Sequence, residues 1–192
     1  MDRPYVVGID IGGQSAKIGI VDTRGTVLSQ TAIKSNDTNS HVEFIDNLCS
    51  AVEKLAEKAN IPMSKIRGIG IGAPNANYYT GTIENAVNLT FGGMKVIPFA
   101  DLMSERIGLP VRLTNDANAA AVGEMTYGAA RGMKNFITIT LGTGVGSGIV
   151  VGGYVLYGHD GFAGELGHVT MVRKNGRLCG CGKTGCLEAY AS

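Results

Sequence analysis

Gly8-Ile9-Asp10-Ile11-Gly12-Gly13-Gln14-Ser15-Ala16-Lys17 is the stretch that decides the fold. An apolar strand over residues 5–10 ends on an acid, turns through two glycines and resumes at Lys17–Asp22. A third strand, Thr26–Ile33, returns after a turn at Thr23-Arg24-Gly25. Three strands in succession form a hairpin meander, where a βαβ unit would have placed a helix. The pattern comes back near the other end. Strands over 135–141 and 147–156 are joined by Leu141-Gly142-Thr143-Gly144-Val145-Gly146-Ser147-Gly148. Each arrangement is a strand, a glycine turn and a returning strand.

Between the two hairpins the period changes. Ile45, Leu48, Cys49, Val52, Leu55, Ala56 and Ala59 fall at helical spacing, with Ser40 as N-cap and Glu43 completing a capping box; Pro62 stops the helix. Ile66–Gly72 reads as a strand, 75–94 as loop with short strands, Pro98–Ile107 as a short helix and Val111–Thr114 as a strand. Asn115 and Asp116 open an Ala-rich helix to Tyr127, and Gly185–Ser192 starts another. This order predicts an α/β fold with a mixed sheet in two lobes, 1–115 and 116–192, the second one short. Two glycine hairpins facing each other would make a nucleotide clamp.

Composition narrows the class. Of 192 residues 44% are hydrophobic and 17% charged, which excludes disorder as the main state. A net charge of +1 offers no bulk attraction to nucleic acid or anionic lipid. No apolar run reaches the ~18 residues of a membrane helix, and the start has no signal-peptide pattern, so a cytoplasmic chain is expected. There its four cysteines are thiols or metal ligands before they are disulfides. The 29 glycines are about double ordinary usage and have no three-residue period.

Two motifs are decoys. Gly68-Ile69-Gly70-Ile71-Gly72 has dinucleotide-fingerprint glycines, but Pro74 and nearby asparagines argue against the helix that must follow. Gly182-Lys183-Thr184 resembles the end of a P-loop, but Arg177 stands where its first glycine belongs.

The turn after Asp10 permits two readings: a plain hairpin, or a phosphate loop in which Gly12 and Gly13 expose N–H groups, Ser15 adds a hydroxyl, Lys17 a charge and Asp10 a Mg²⁺ ligand. The alternating glycines of 142–148 exceed a hairpin's need and favour ligand contact. Asn115 and Asp116 are explained by helix capping, which spacing alone favours; an Asp beyond a strand end also suits a base for phosphoryl transfer to an alcohol. His168, Cys179, Cys181 and Cys186 match the Cys₃His set of structural zinc, and glycines at 176, 180, 182 and 185 let the chain fold around an ion. Cys49 reads as core. Glu165 and Glu188 bracket the cluster, either as two solvated acids or, if zinc folds the segment, as acceptors of hydrogen bonds from a polyol.

Together, Gly8–Gly13, Asn115–Ala121, Leu141–Gly146, Gly164–His168 and Cys179–Glu188 resemble the ROK family (repressor, open reading frame, kinase), in order and spacing, over nearly the whole chain. The resemblance implies the actin-like ATPase and sugar kinase (ribonuclease H-like) fold, with the second lobe incomplete, and a glucokinase-like enzyme phosphorylating the C6 hydroxyl of a hexose. Asp116 would be the catalytic base. Asn115, Asp116, Glu165, His168 and Glu188 would bind the sugar. Asp10, Gly12, Gly13, Gln14, Lys17, Gly142, Thr143 and Gly144 would surround ATP and Mg²⁺. His168, Cys179, Cys181 and Cys186 would hold a structural zinc. A homodimer or homotetramer is the family's expectation.

Gln14 departs from the Thr that kinases of this family usually carry there. The chain also stops six residues after Cys186, so a C-terminally truncated lobe is expected, which leaves a non-catalytic sugar-binding fragment as an alternative. A sugar-sensing transcriptional regulator, the family's other branch, is disfavoured because only seven residues precede Gly8 and there is no basic recognition helix.

Overall fold

The computed structural model describes residues 3–86, 89–90 and 96–192. The chain divides into two compact units, Met1–Asp116 and Ala117–Ser192. In chain order the first comprises β1 (Tyr5–Ile11), β2 (Ser15–Val21), β3 (Val27–Lys34), α1 (His41–Lys58), β4 (Ile66–Ala73), the short β5 (Ala76–Asn77), β6 (Thr82–Glu84) and β7 (Val96–Ile97), α2 (Phe99–Ile107) and β8 (Val111–Asn115). Residues 87, 88 and 91–94 of the expected 75–94 loop lie outside the described residues.

Its main sheet runs β3-β2-β1-β4-β8, with the meander antiparallel and β4 and β8 parallel to β1 and to each other. Alternation sets the faces. Val7, Ile9 and Ile11 pair across to Ile20, Ile18 and Ala16, and all six are buried. Phe44, Leu48, Cys49, Val52 and Leu55 of α1 belong to the same core cluster, which is why the 3.6-residue stripe was readable. Burial pushes the Cys49 thiol up to about 11, as suits an inert core residue. The opposite side of β1 and β2 exposes Gly8, Asp10 and Lys17.

Ser40 caps α1 as expected, its hydroxyl accepting from the Glu43 amide at 3.3 Å. The reciprocal arm differs. Glu43 accepts from the Thr38 hydroxyl at 2.6 Å, and Thr38 Oγ1 accepts from the Ser40 amide at 3.1 Å, so the box closes through a third side chain. Beyond the helix Asn60 turns to φ 55. The decoy glycines 68–72 lie inside β4, and no helix begins there. Gly68 is needed because a Cβ would stand 2.9 Å from the Pro110 carbonyl.

The second unit carries α3 (Asp116–Tyr127, continuing from the first unit), β9 (Phe136–Leu141), β10 (Val145–Val151), β11 (Tyr154–Val155) and α4 (Glu188–Ala191), with sheet order β11-β10-β9. The single strand expected over 147–156 is two. Gly152 and Gly153 both have positive φ, 63 and 88°, the geometry of a tight hairpin turn that only glycine adopts readily. The alternating glycines also divide. A Cβ at Gly146 would come within 2.9 Å of the Ala117 Cβ, and one at Gly148 within 2.6 Å of the Ala121 Cβ. These two glycines admit helix α3 against β10, so helix packing accounts for them where the sequence pointed to ligand contact.

The two meanders are alike: three residues, 12–14 and 142–144, join their first two strands. Their first strands differ in cover. Val7, Ile9 and Ile11 are buried, whereas Ile137, Ile139 and Leu141, at the corresponding places, are each more than half exposed, and β9 is an edge strand. No helix among the described residues is long and apolar enough to cross a membrane. In urea denaturation of this chain, Ile9→Ala is expected to cost about 2–5 kcal/mol and Ile139→Ala under ~0.5 kcal/mol. Equal losses would mean the β9 face is covered in solution.

Candidate functional site

The first glycine turn is held from outside. Ser35, fully buried, donates its hydroxyl to the Gly12 carbonyl at 2.6 Å and its amide to the Gln14 carbonyl at 3.1 Å. The Gly12 N–H donates to Ser15 O at 2.9 Å within the turn. Neither Gly12 nor Gly13 has positive φ. Asp10 and Lys17 are directly opposite across the β1–β2 ladder and both exposed, which puts a carboxylate and an ammonium on one face at the turn. The carboxylate is the hard oxygen donor Mg²⁺ takes. Sequence reasoning passed over Ser35, an ordinary member of a polar loop with no local signal.

In the second turn the Gly142 N–H donates to Gly144 O at 3.0 Å. The next amide, Val145, donates to Glu188 Oε2 at 3.0 Å, and a Cβ on Gly144 would stand 2.5 Å from that same oxygen. Glu188, expected on the sugar, is therefore engaged with the loop. Gly142 faces open space.

Asn115 pairs with Ala73 as the last residue of β8, and Asp116 is the first of α3. The pair thus sits at the carboxyl end of a parallel strand, with Asn115 in the sheet and not in the helix start. Beside it, two buried polar atoms, Thr114 Oγ1 and Asn118 Oδ1, have no hydrogen-bond partner among the described residues. Each such atom costs about 1–3 kcal/mol.

Glu165 immediately precedes the 3₁₀ turn Leu166–His168, and its carbonyl accepts from the His168 amide at 3.1 Å, so both residues share one turn. The ligand atoms of His168, Cys179, Cys181 and Cys186 lie within 4.8 Å of one another. Cys181 and Cys186 sulfurs are 3.8 Å apart, and Cys179 Sγ is 3.7 Å from His168 Nδ1. A tetrahedral ion with ~2.3 Å bonds to sulfur and ~2.0 Å to nitrogen sets those separations at about 3.8 and 3.5 Å. The donor set therefore fits zinc, Nδ1 being the imidazole nitrogen 3.7 Å from the Cys179 sulfur. The Cys181 amide pulls the Cys179 thiol down, but burial and hydrogen bonding to Cys181, Glu188 and Cys186 outweigh it and push it up to about 11. The Lys183 amide leads in lowering Cys181, and burial leads in raising Cys186.

Backbone geometry shapes the cluster. Gly182 and Gly185 have φ 86 and 82°, and Gly185 lies flush on the Val172 carbonyl, where a Cβ has no room. Gly176 packs on Gly185 with 2.6 Å for a Cβ, whereas Gly180 faces open space and is not required.

A meander followed by parallel strands in the first unit, and a second meander with its own glycine turn, make this a mixed α/β fold of the actin-like ATPase superfamily. Residues 6–192 match the ROK family profile, and the chain belongs to that family. It is 43% identical to a glucokinase of Halalkalibacterium halodurans over the whole chain, covering 57% of that protein. It is 32% identical to a putative xylose repressor of Caldicellulosiruptor, over 97% of this chain and 46% of the repressor. A crystal structure of a ROK family glucokinase from Streptomyces griseus with glucose and AMPPNP superposes with a TM-score of 0.83 and 38% identity, over 98% of this chain and 57% of that one. The chain thus spans about half the length of the curated relatives it matches, 57% of the glucokinase and 46% of the repressor.

Reconstituted with zinc, the chain is expected to hold about one ion by elemental analysis. Cys181→Ser and Gly185→Ala are expected to lose most of it, and Gly180→Ala to keep it. Full loading of Cys181→Ser would refute the ligand set.

Proposed function

We propose that this chain carries the catalytic base, the sugar ligands and the two phosphate loops of an ATP-dependent hexose kinase of glucokinase type. The observation that carries the reading is the 38% identical glucokinase that superposes over 98% of the chain and binds glucose and an ATP analogue.

In this reading Asp116 takes the proton of the sugar's C6 hydroxyl as the oxygen attacks the γ-phosphorus. It lies at a helix start, beyond a strand's carboxyl end, where the helix dipole favours a negative group. Asn115, Glu165, His168 and Glu188 hold the other hydroxyls, and a carboxylate accepting from a hydroxyl is the stronger kind of hydrogen bond. Gly12, Gly13, Gln14 and Lys17 on one turn, and Gly142, Thr143 and Gly144 on the other, are assigned to the phosphates, with Asp10 toward Mg²⁺. Lobes 1–115 and 116–192 are assigned with them, the compact units dividing one residue later, after Asp116. His168, Cys179, Cys181 and Cys186 hold a structural zinc that orders the sugar segment; with Nδ1 toward the metal, Nε2 of His168 is left for the sugar.

The putative xylose repressor, which matches 97% of this chain, favours a second reading: sugar recognition without transfer. ADP release with MgATP against glucose, mannose, fructose and N-acetylhexosamines separates the two. Sugar-dependent release supports the kinase and names its substrate; sugar binding with no release supports recognition alone. Asp116→Asn is expected to lower turnover about 10²–10⁴-fold while leaving the sugar-dependent rise in Tm nearly intact. A variant that keeps most of its rate would remove Asp116 as base.

A further inference from the structure

We infer that Glu188 is a positioning residue that ties the glycine turn 142–144 to the His/Cys cluster, so that closing the cluster around its metal fixes the turn. Only the consequence for nucleotide binding rests on the kinase reading.

One carboxylate touches both features. Its Oε2 accepts from the Val145 amide at 3.0 Å and stands where a Gly144 side chain would be. With the cysteine protonated, its Oε1 accepts from the Cys179 thiol at 3.4 Å; a metal takes that proton's place, and Glu188 then stays tied to the cluster through the chain, two residues after Cys186. A second strut comes from the other side. Gly167, next to His168, lies flush on the Val145 carbonyl, where a Cβ has no room. Ser147 donates its hydroxyl to Gly164 O and accepts from the Leu166 amide at 3.3 Å. The strand that leaves the turn is thus gripped by the two segments that supply the cluster's donors, 164–168 and 179–188.

Those segments have little else to hold them. Within 157–192 the buried hydrophobic residues are Cys179 and Cys186, both of them cluster members. With no apolar core, the metal's binding free energy is what orders such a segment. Leu187 donates to Val169 O at 3.0 Å, so Glu188 is carried on the same framework as the donors. Opening the cluster therefore frees Glu188, and with it the Val145 amide at the end of the turn. In the kinase reading that turn binds phosphate, so the metal acts on the nucleotide as well as on the sugar.

Hydrogen exchange read by mass spectrometry on peptides covering 142–147 tests this in the zinc-loaded 192-residue chain. Glu188→Ala is expected to speed exchange there about tenfold, with zinc content and the 5–11 peptide unchanged. Glu188→Gln is expected to keep protection, because its amide oxygen still accepts from Val145. Chelation of wild type is expected to speed the same peptides, and to add little in Glu188→Ala. Unchanged exchange in Glu188→Ala, protection that survives chelation, or Glu188→Gln as fast as Ala would each overturn the inference. If the Ala variant does not fold, Glu188→Met, which keeps the side chain's length without an acceptor, gives the same reading. Exchange needs no substrate, so failure of ADP release counts against the kinase reading alone.

Discussion

A turn built of glycine has no side chains with which to hold its own shape, and this chain has two of them at the ends of its leading strands. Each is fixed from outside by one polar side chain distant in sequence. Ser35 holds the first through the Gly12 and Gln14 carbonyls, and Glu188 meets the second at the Val145 amide. The anchors differ in chemistry because they meet different atoms. A hydroxyl and an amide donate to carbonyls, whereas a carboxylate accepts from an N–H. In both places one side chain of the turn, Gln14 or Thr143, remains exposed.

The supports behind the anchors are unequal. Ser35 is buried just before a helix whose apolar stripe packs on the sheet, so hydrophobic burial holds the first turn in place. Glu188 follows a segment with almost no apolar interior, where four ligand atoms gathered within 4.8 Å take that part. Local stability follows the packing, and the second turn is accordingly the one whose order depends on chemistry as well as on burial.

Much of this was legible. The meander, the helix with Ser40 as its cap, the strand after Pro62 and the Cys₃His set each rest on local pattern: alternation, a 3.6-residue period, or donor spacing. Other features were not. The 147–156 stretch reads as one strand because its apolar residues alternate on either side of Gly152-Gly153, and only the two positive φ values show the turn. Gly146 and Gly148 look like ligand-contact glycines until the Ala117 and Ala121 side chains stand against them. Gly180 sits among required glycines and meets nothing.

The sequence by itself determined the α/β class, the two glycine hairpins, the family and the residues able to bind metal, because these depend on periodicity and on the identity of side chains along the chain. Tertiary structure decided which groups meet. Ser35 lies 23 residues from Gly12, and Glu188 lies 43 from Val145. Hydrogen bonds over such separations exist only after the sheet and the cluster have brought the segments together, and nothing in the local pattern around either residue encodes its partner.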